Sequence, residues 1–308
     1  MKRKSTFKEI VRLWKTDKRQ YVKKSTFAAY CLHLDNHLIP DFGNRTTIDE
    51  DSVQKFVIRK LDSGLSQKYV KDMLVVMRMV LSFGDRLGMT DYKRIQVRFP
   101  TERKTEGMEV LSKKEQKKII HYIKGNFSFR NLGILLCLSA GLRIGEVCAL
   151  TWDDIDISTG MINVTKTIQR IYIHEEGRGH TELHIGSAKS VHSMRKIPMA
   201  NEIMHIIKPL KRIVNGSYYI LSNNAKPIEP RAYRNYYQKL MKEIGIPRLK
   251  FHGLRHSFAT RCIESKCDYK TVSVLLGHSN ISTTLNLYVH PNVEQKQKCV
   301  EQMFKTLR

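Results

Sequence analysis

Apolar residues at Val70, Met73, Leu74, Met77, Val80 and Leu81 recur at spacings of three and four, the period of a helix with one buried face. Ser66 stands where a cap for that helix is expected, and Gly84 and Gly88 loosen its end. Earlier helices are predicted around Phe7–Trp14, Ser25–His37 and Glu50–Leu61, with Pro40 and Gly43 breaking the second from the third. Residues 1–92 thus read as a small helical bundle. From Asp91 to Val110 the period fails. The stretch is polar and basic and carries Pro100 and Gly107, so residues 93–109 read as an interdomain linker, free to lie against phosphates.

Residues 110–308 read as a second domain. Ser112 and Glu115 have capping-box spacing ahead of an apolar stripe, and a buried helix is predicted near Leu132–Ala140. The period then changes to two. Ile155, Ile157, Ile162, Val164, Ile168, Ile171 and Ile173 alternate with polar residues around a turn at Ser158–Gly160. Lys189–Met199 is a further strand. Helices return from Asn201, interrupted by a short strand at Tyr218–Leu221. The fold class is mainly α with a small antiparallel β-sheet, an α+β domain following an all-helical one.

Composition narrows the partners. Among 308 residues, 54 Lys and Arg face 29 Asp and Glu, a formal charge of +25. Self-repulsion on that scale opposes compactness unless a polyanion shares it. Tyrosines and histidines interleaved with the basic residues suit nucleic acid better than lipid. The N-terminus has the charge of a signal peptide without its apolar stretch. The longest apolar run, near Leu132 to Leu142, is too short for a bilayer, so no membrane association is expected. Cys31, Cys137, Cys148, Cys262, Cys267 and Cys299 show no CxxC spacing and read as free thiols of a reducing cytoplasm.

Candidate chemistry lies in the second domain. His252 and Arg255 are three apart and share a helix face, while Arg143 follows a Gly-Leu pair at a helix start. His278 sits where a helix ends, and Tyr288 follows ten residues later. Lys189 lies on a strand hairpin between the helical blocks. Two planar guanidinium forks match the non-bridging oxygens of a phosphodiester and the charge of a pentacoordinate transition state. A tyrosine hydroxyl, with a pKa of about 10, needs a base and a cationic field to attack phosphorus; His252 and His278 could supply both. A lysine could protonate the departing oxygen. No acidic cluster has metal-ligand spacing, so metal-assisted hydrolysis is disfavoured.

Blander readings compete. Arg143 could simply pair with Glu146, three residues on. His256 shares nearly the face of His252, and His290 lies beside Tyr288. Tyr218, Tyr219, Tyr233, Tyr236 and Tyr237 rival Tyr288, as Arg195 and Lys196 rival Lys189.

Five stretches in order, AGLRIGEVCALTWDDID, KSVHSMRKIPM, FHGLRHSFAT, LLGHSNISTT and LYVH, resemble the tyrosine recombinase (phage integrase) family across the whole second domain. STFAAYCLHLDNHLIPDFG resembles, more loosely, that family's helical core-binding domain. The resemblance implies that Arg143 and Arg255 clamp the scissile phosphate and that Lys189, in the pattern K-S-x-x-S-x-R-x-I-P, is the general acid. It further implies that His252 and His278 assist proton transfer and that Tyr288 is the nucleophile. His256 then becomes a packing histidine and Glu146 a structural support. It implies a DNA clamp, a phosphotyrosyl intermediate, four protomers on two double-stranded sites, and exchange through a Holliday junction without metal or nucleotide. Accessory DNA-bending proteins stay open as partners. The amphipathic tail, with Val293, Cys299, Val300, Met303 and Leu307, would pack intramolecularly or dock into a neighbouring protomer. Because the sequence opens almost directly on the stretch resembling the core-binding domain, a separate arm-binding domain is not expected. Integration or excision of a mobile element, inversion of a DNA segment and chromosome-dimer resolution are all open. The alternatives are type IB topoisomerase-like relaxation and a non-catalytic DNA-binding regulator.

Overall fold

The computed structural model describes residues 5–101, 109–175, 178–187, 193–246, 249–288 and 293–307. They divide into two compact units. One comprises residues 1–105 with the segment Arg170–Glu182, the other Glu106–Gln169 with Leu183–Arg308.

In the first unit, α1 (Phe7–Lys18) starts at a capping box between Thr6 and Glu9 and buries Phe7, Ile10, Val11 and Trp14. Helix α2 (Lys24–His33) does not stop at Pro40. It runs through a π turn (Leu34–Leu38) into α3 (Ile39–Phe42) and ends at Gly43. Pro40 sits in the first turn of α3, and the wider turn before it makes room for a residue that has no N–H and would crowd the carbonyl one turn back. Helix α4 (Glu50–Asp62) is capped by Asp49, whose carboxylate accepts from Ser52 N at 2.7 Å. Helix α5 (Gln67–Arg86) is capped by Ser66, and all six periodic apolar residues are buried. Gly84 lies inside α5 rather than loosening it. A Cβ there would stand 2.9 Å from the Ile10 side chain, so glycine is what lets α1 approach.

Residues 91–101, read as linker from their polarity, are extended but strapped to this unit. Ile95 is buried in its core. Gln96 N donates to Glu50 Oε1 (2.8 Å), Arg98 N to Gln54 Oε1 (2.9 Å), and Gln67 Nε2 to the Pro100 carbonyl (2.8 Å). The polar side chains of α4 and α5 thus satisfy a backbone that has no strand partner.

In the second unit the capping box of Ser112 and Glu115 opens α6 (Lys113–Gly125). Helix α7 (Phe129–Ala140) runs through the core and stops at Gly141, which is left-handed at φ +62°. Helix α8 (Ile144–Ala149) follows after two residues. Strands β1 (Ile155–Asp156) and β2 (Met161–Val164) form the expected hairpin, while β3 (Lys166–Glu175) and β4 (Arg178–Ser187) form a separate two-stranded ribbon. Strand β5 (Arg195–Pro198) pairs antiparallel with β2, Ile197 opposite Ile162; the segment around Lys189 lies outside the described residues. The strand expected at Tyr218–Leu221 reduces to bridges from Tyr219 to Thr151 and Asn224, because the chain turns there rather than running alongside a neighbour.

Helices α9 (Asn201–Lys211) and α10 (Pro230–Glu243) cover the core, α10 contributing Tyr233 and Tyr237. Helix α11 (His252–Glu264) ends in a Schellman turn: Lys266 N donates to the Ile263 carbonyl and Cys267 N to that of Cys262. This aims the chain into α12 (Tyr269–Leu276), capped by Asp268 and terminated by left-handed Gly277. Helices α13 (Ile281–Tyr288) and α14 (Val293–Lys305) complete the unit. The five described cysteines are free thiols.

Lys266 holds the left-handed position of the Schellman turn at φ +62°, where a Cβ is strained by about 1–2 kcal/mol. Glycine removes that strain at a smaller cost in unfolded-chain entropy. Lys266→Gly should therefore raise the unfolding free energy by about 0.5–1 kcal/mol in urea denaturation; a loss of stability would contradict the assignment of this turn.

Candidate active site

Gly141 places Arg143. The left-handed turn ends α7, buried Leu142 anchors the next residue, and Arg143 opens α8 in an extended conformation. Three residues on, Glu146 reaches back: Oε2 accepts from Arg143 N (2.9 Å) and Oε1 from Arg143 Nη1 (2.7 Å). The helix-start ion pair weighed from sequence is therefore present, and it is compatible with a site role, because Arg143 Nη2 also donates to the Gly277 carbonyl at 3.1 Å.

Arg255, one turn into α11, is 2% exposed. Its Nη1 donates to the Gly141 carbonyl (2.8 Å) and its Nη2 to the Leu276 carbonyl (2.6 Å). A third guanidinium joins them. Arg195 of β5 donates from Nε to the Leu275 carbonyl (2.7 Å), from Nη1 to Ser193 O (3.1 Å), and through both Nη atoms to Glu146 (3.0 and 2.9 Å). Leu275, Leu276 and Gly277 thus each give their carbonyl to a different arginine at the C-terminal end of α12. Arginine is suited to that end, where unsatisfied carbonyls carry partial negative charge. Sequence alone offers Arg195 only as a rival to Lys189, because its buried fork onto Glu146 spans 49 residues and carries no local signal.

His278 comes next in the chain. Its Nδ1 lies 2.9 Å from the hydroxyl of buried Thr284 on α13, which fixes the ring. Burial first, then Arg255, Arg143, Arg195 and His252, push its pKa down to about 4. His252 opens α11 and is lowered by burial and then by Arg255 and Arg143, with Glu146 opposing. His256 packs edge to face on His252 with ring centroids 4.5 Å apart, and burial and the charges of His252 and Arg255 lower it to about 4. All three rings are neutral at pH 7 and able to accept a proton. Glu146 is buried, which alone would raise its pKa, but the Arg195 bonds and the fields of Arg195 and Arg143 pull it below the usual carboxylate value.

The structure therefore brings Arg143, His252, Arg255 and His278 into one constellation. Lys189 and His290 lie outside the described residues. Tyr288 is the last residue of α13, and its side chain lies outside them as well. Of its rivals on α10, Tyr233 donates to the Arg130 carbonyl (2.7 Å) and Tyr236 to Asn131 Oδ1 (2.6 Å), while burial raises the pKa of Tyr233 and of Tyr237, whose buried hydroxyl has no hydrogen-bond partner among the described residues. Among the described residues no group of three or more His, Cys, Asp or Glu could hold a metal ion.

The model of the phage integrase family matches residues 109–295, and that of the phage integrase N-terminal SAM-like domain matches residues 6–61. A XerC-like tyrosine recombinase of Caldanaerobacter subterraneus is 28% identical over 304 residues, covering 91% of this chain and 77% of the relative. Tyrosine recombinase XerC of Pediococcus pentosaceus is 25% identical over 309 residues, covering 96% and 98%. The Tn1549 transposon integrase in complex with transposon right end DNA superposes with a TM-score of 0.74 at 22% identity, covering 97% of this chain and 99% of that one. A λ integrase tetramer bound to a Holliday junction shares the fold at TM-score 0.64 and 16% identity, covering 95% and 80%. Among the described residues no helix is long and apolar enough to cross a membrane.

The lowered histidines give stability a direction in pH. Below their ordinary value of 6.5 the unfolded chain takes up protons that the folded site refuses until about pH 4. Stability is thus fully present above pH 6.5 and drains as pH falls through that window. Denaturation midpoints should drop between pH 7 and 5, and His256→Gln should flatten the slope by up to about one proton. An unchanged slope would remove His256 as a contributor.

Proposed function

This chain belongs to the phage integrase family and is a tyrosine-type site-specific recombinase acting on DNA; we propose that Tyr288 is its nucleophile and that Arg143, Arg255, His252, His278 and Lys189 form the machinery around the scissile phosphate. It binds DNA recombination sites. The observation that carries the proposal is the convergence at the end of α12. Arg255 and Arg143 are held on the adjacent carbonyls of Leu276 and Gly277, His278 follows at once, and α13 then leads to Tyr288.

The step can be written with its atoms. The Tyr288 oxygen attacks phosphorus, the bond from phosphorus to the 5′ oxygen breaks, and a 3′-phosphotyrosyl ester and a free 5′ hydroxyl result. The hydroxyl proton passes to a neutral imidazole, His252 or His278, whose lowered basicity the negative charge of the bound phosphate raises. Lys189 protonates the departing 5′ oxygen. Arg143 and Arg255 neutralise the charge that builds on the non-bridging oxygens. With its side chain 34% exposed, Arg143 is the more accessible of the two. The ester energy stays in the phosphotyrosyl bond, so rejoining needs no ATP. The net charge of +25 supplies counterion-releasing contacts along the duplex. On α14, Val300, Met303 and Phe304 are exposed, as is Leu307 just beyond it; this supports docking of the tail into a neighbouring protomer of a tetramer on two sites.

Tyr288→Phe should bind site DNA normally and form no denaturation-resistant adduct. Arg255→Ala should slow cleavage by roughly 10²–10³-fold. On a suicide substrate whose 5′-bridging oxygen is sulfur, which leaves without a proton, Lys189→Ala should regain near wild-type cleavage while Arg255→Ala stays slow. A covalent adduct with Tyr288→Phe would overturn the nucleophile, and equal rescue of both other variants, or of neither, would overturn Lys189 as the acid.

A further inference from the structure

We propose that Arg195 is a positioning residue for strand cleavage: without touching DNA, it ties the C-terminal end of α12 to the Glu146 carboxylate and so sets where Arg143 and His278 meet the scissile phosphate. The inference rests on the reading of the site given above. It starts from an expensive feature. Arg195 has a side chain only 4% exposed and faces a carboxylate equally buried. Taking two such charges out of water costs several kcal/mol per ion, and hydrophobic replacements of buried pairs are often as stable or more so. Core-filling alone therefore does not explain an arginine here.

Its bonds supply an explanation. The fork is split between two tasks. The Nη atoms hold both oxygens of Glu146, and Nε holds Leu275 O. The same two carboxylate oxygens accept from Arg143 Nη1 and Arg143 N. Leu275 stands three residues before His278 on the same helix end. Arg195 thus fixes one partner of Arg143 and the helix end that carries both Leu276 O, held by Arg255, and Gly277 O, held by Arg143. Removing it would leave Glu146 with Arg143 as its described ion-pair partner, so the carboxylate would hold that guanidinium more tightly at the expense of the phosphate. Lysine at position 195 would keep the charge but could not reach the carboxylate and Leu275 O with a fork. Nη1 also holds Ser193 O, four residues along the chain from Lys189.

The test separates affinity from chemistry on the full-length protein. Arg195→Lys should keep a cooperative unfolding transition and bind a duplex recombination site within about twofold of wild type. It should nevertheless slow single-turnover formation of the covalent adduct by roughly 10–100-fold, the scale of a small misplacement of catalytic groups. Combined with Arg143→Lys, the loss should be smaller than the product of the separate losses, because both act through one contact network. Glu146→Gln, which keeps the shape while weakening the fork, should show the same split and serves if the Arg195 variant does not fold. The proposal is overturned if the folded variant cleaves at the wild-type rate, if the loss is matched by an equal loss of affinity, or if the two arginine substitutions combine multiplicatively. Tyr288→Phe, assayed alongside, separates this outcome from failure of the functional reading: only the latter predicts an adduct that survives loss of Tyr288.

Discussion

The second unit depends on how one short helix ends. The last carbonyls of α12 have no partners within the helix, and in a buried place water cannot supply them. Three guanidinia do so instead, brought from an α8 N-terminus, a strand and a neighbouring helix. Each bond satisfies a carbonyl and at the same time fixes a long, flexible side chain that would otherwise lose rotamer freedom only on meeting DNA. Stability and preorganisation come from the same contacts.

Concentrating positive charge would ordinarily be destabilising, and two features moderate it. Glu146 lies between Arg143 and Arg195 and stays ionised despite burial. The histidines respond by giving up their protons, so the constellation adds neutral imidazoles rather than further charge. A phosphate entering such a place finds cations already desolvated and oriented, where their attraction is less screened than at a wet surface. His278, lowered by burial and by the charges of three arginines, is also fixed by a hydroxyl from the next helix.

Much of this was legible along the chain, where the physics is local. The capping boxes, the six-residue stripe of α5, the β1–β2 hairpin and the grouping of His252 with Arg255 follow from spacings of two to four residues. Other features were not, because their causes are distant or lie in the backbone. Arg195 meets Glu146 across 49 residues and Leu275 across 80, and a carbonyl acceptor leaves no trace in residue type. Residues 91–101 read as linker because their anchors are side chains of α4 and α5 bonding to main chain. Pro40 read as a breaker, since a π turn upstream of it has no sequence signature.

Two left-handed glycines have a consequence for anyone who would retarget this protein. The carbonyl that receives Arg255 belongs to Gly141, and the one that receives Arg143 belongs to Gly277. At Gly141 a methyl group would also stand 2.6 Å from the Phe258 ring. Any side chain at either position strains the backbone whose oxygen orients a guanidinium. A mutational library aimed at new DNA sites can range over exposed helix faces. At these two positions a side chain costs about 1–2 kcal/mol of backbone strain, and at Gly141 a clash as well, so the region is better treated as a cassette to be carried intact between designs.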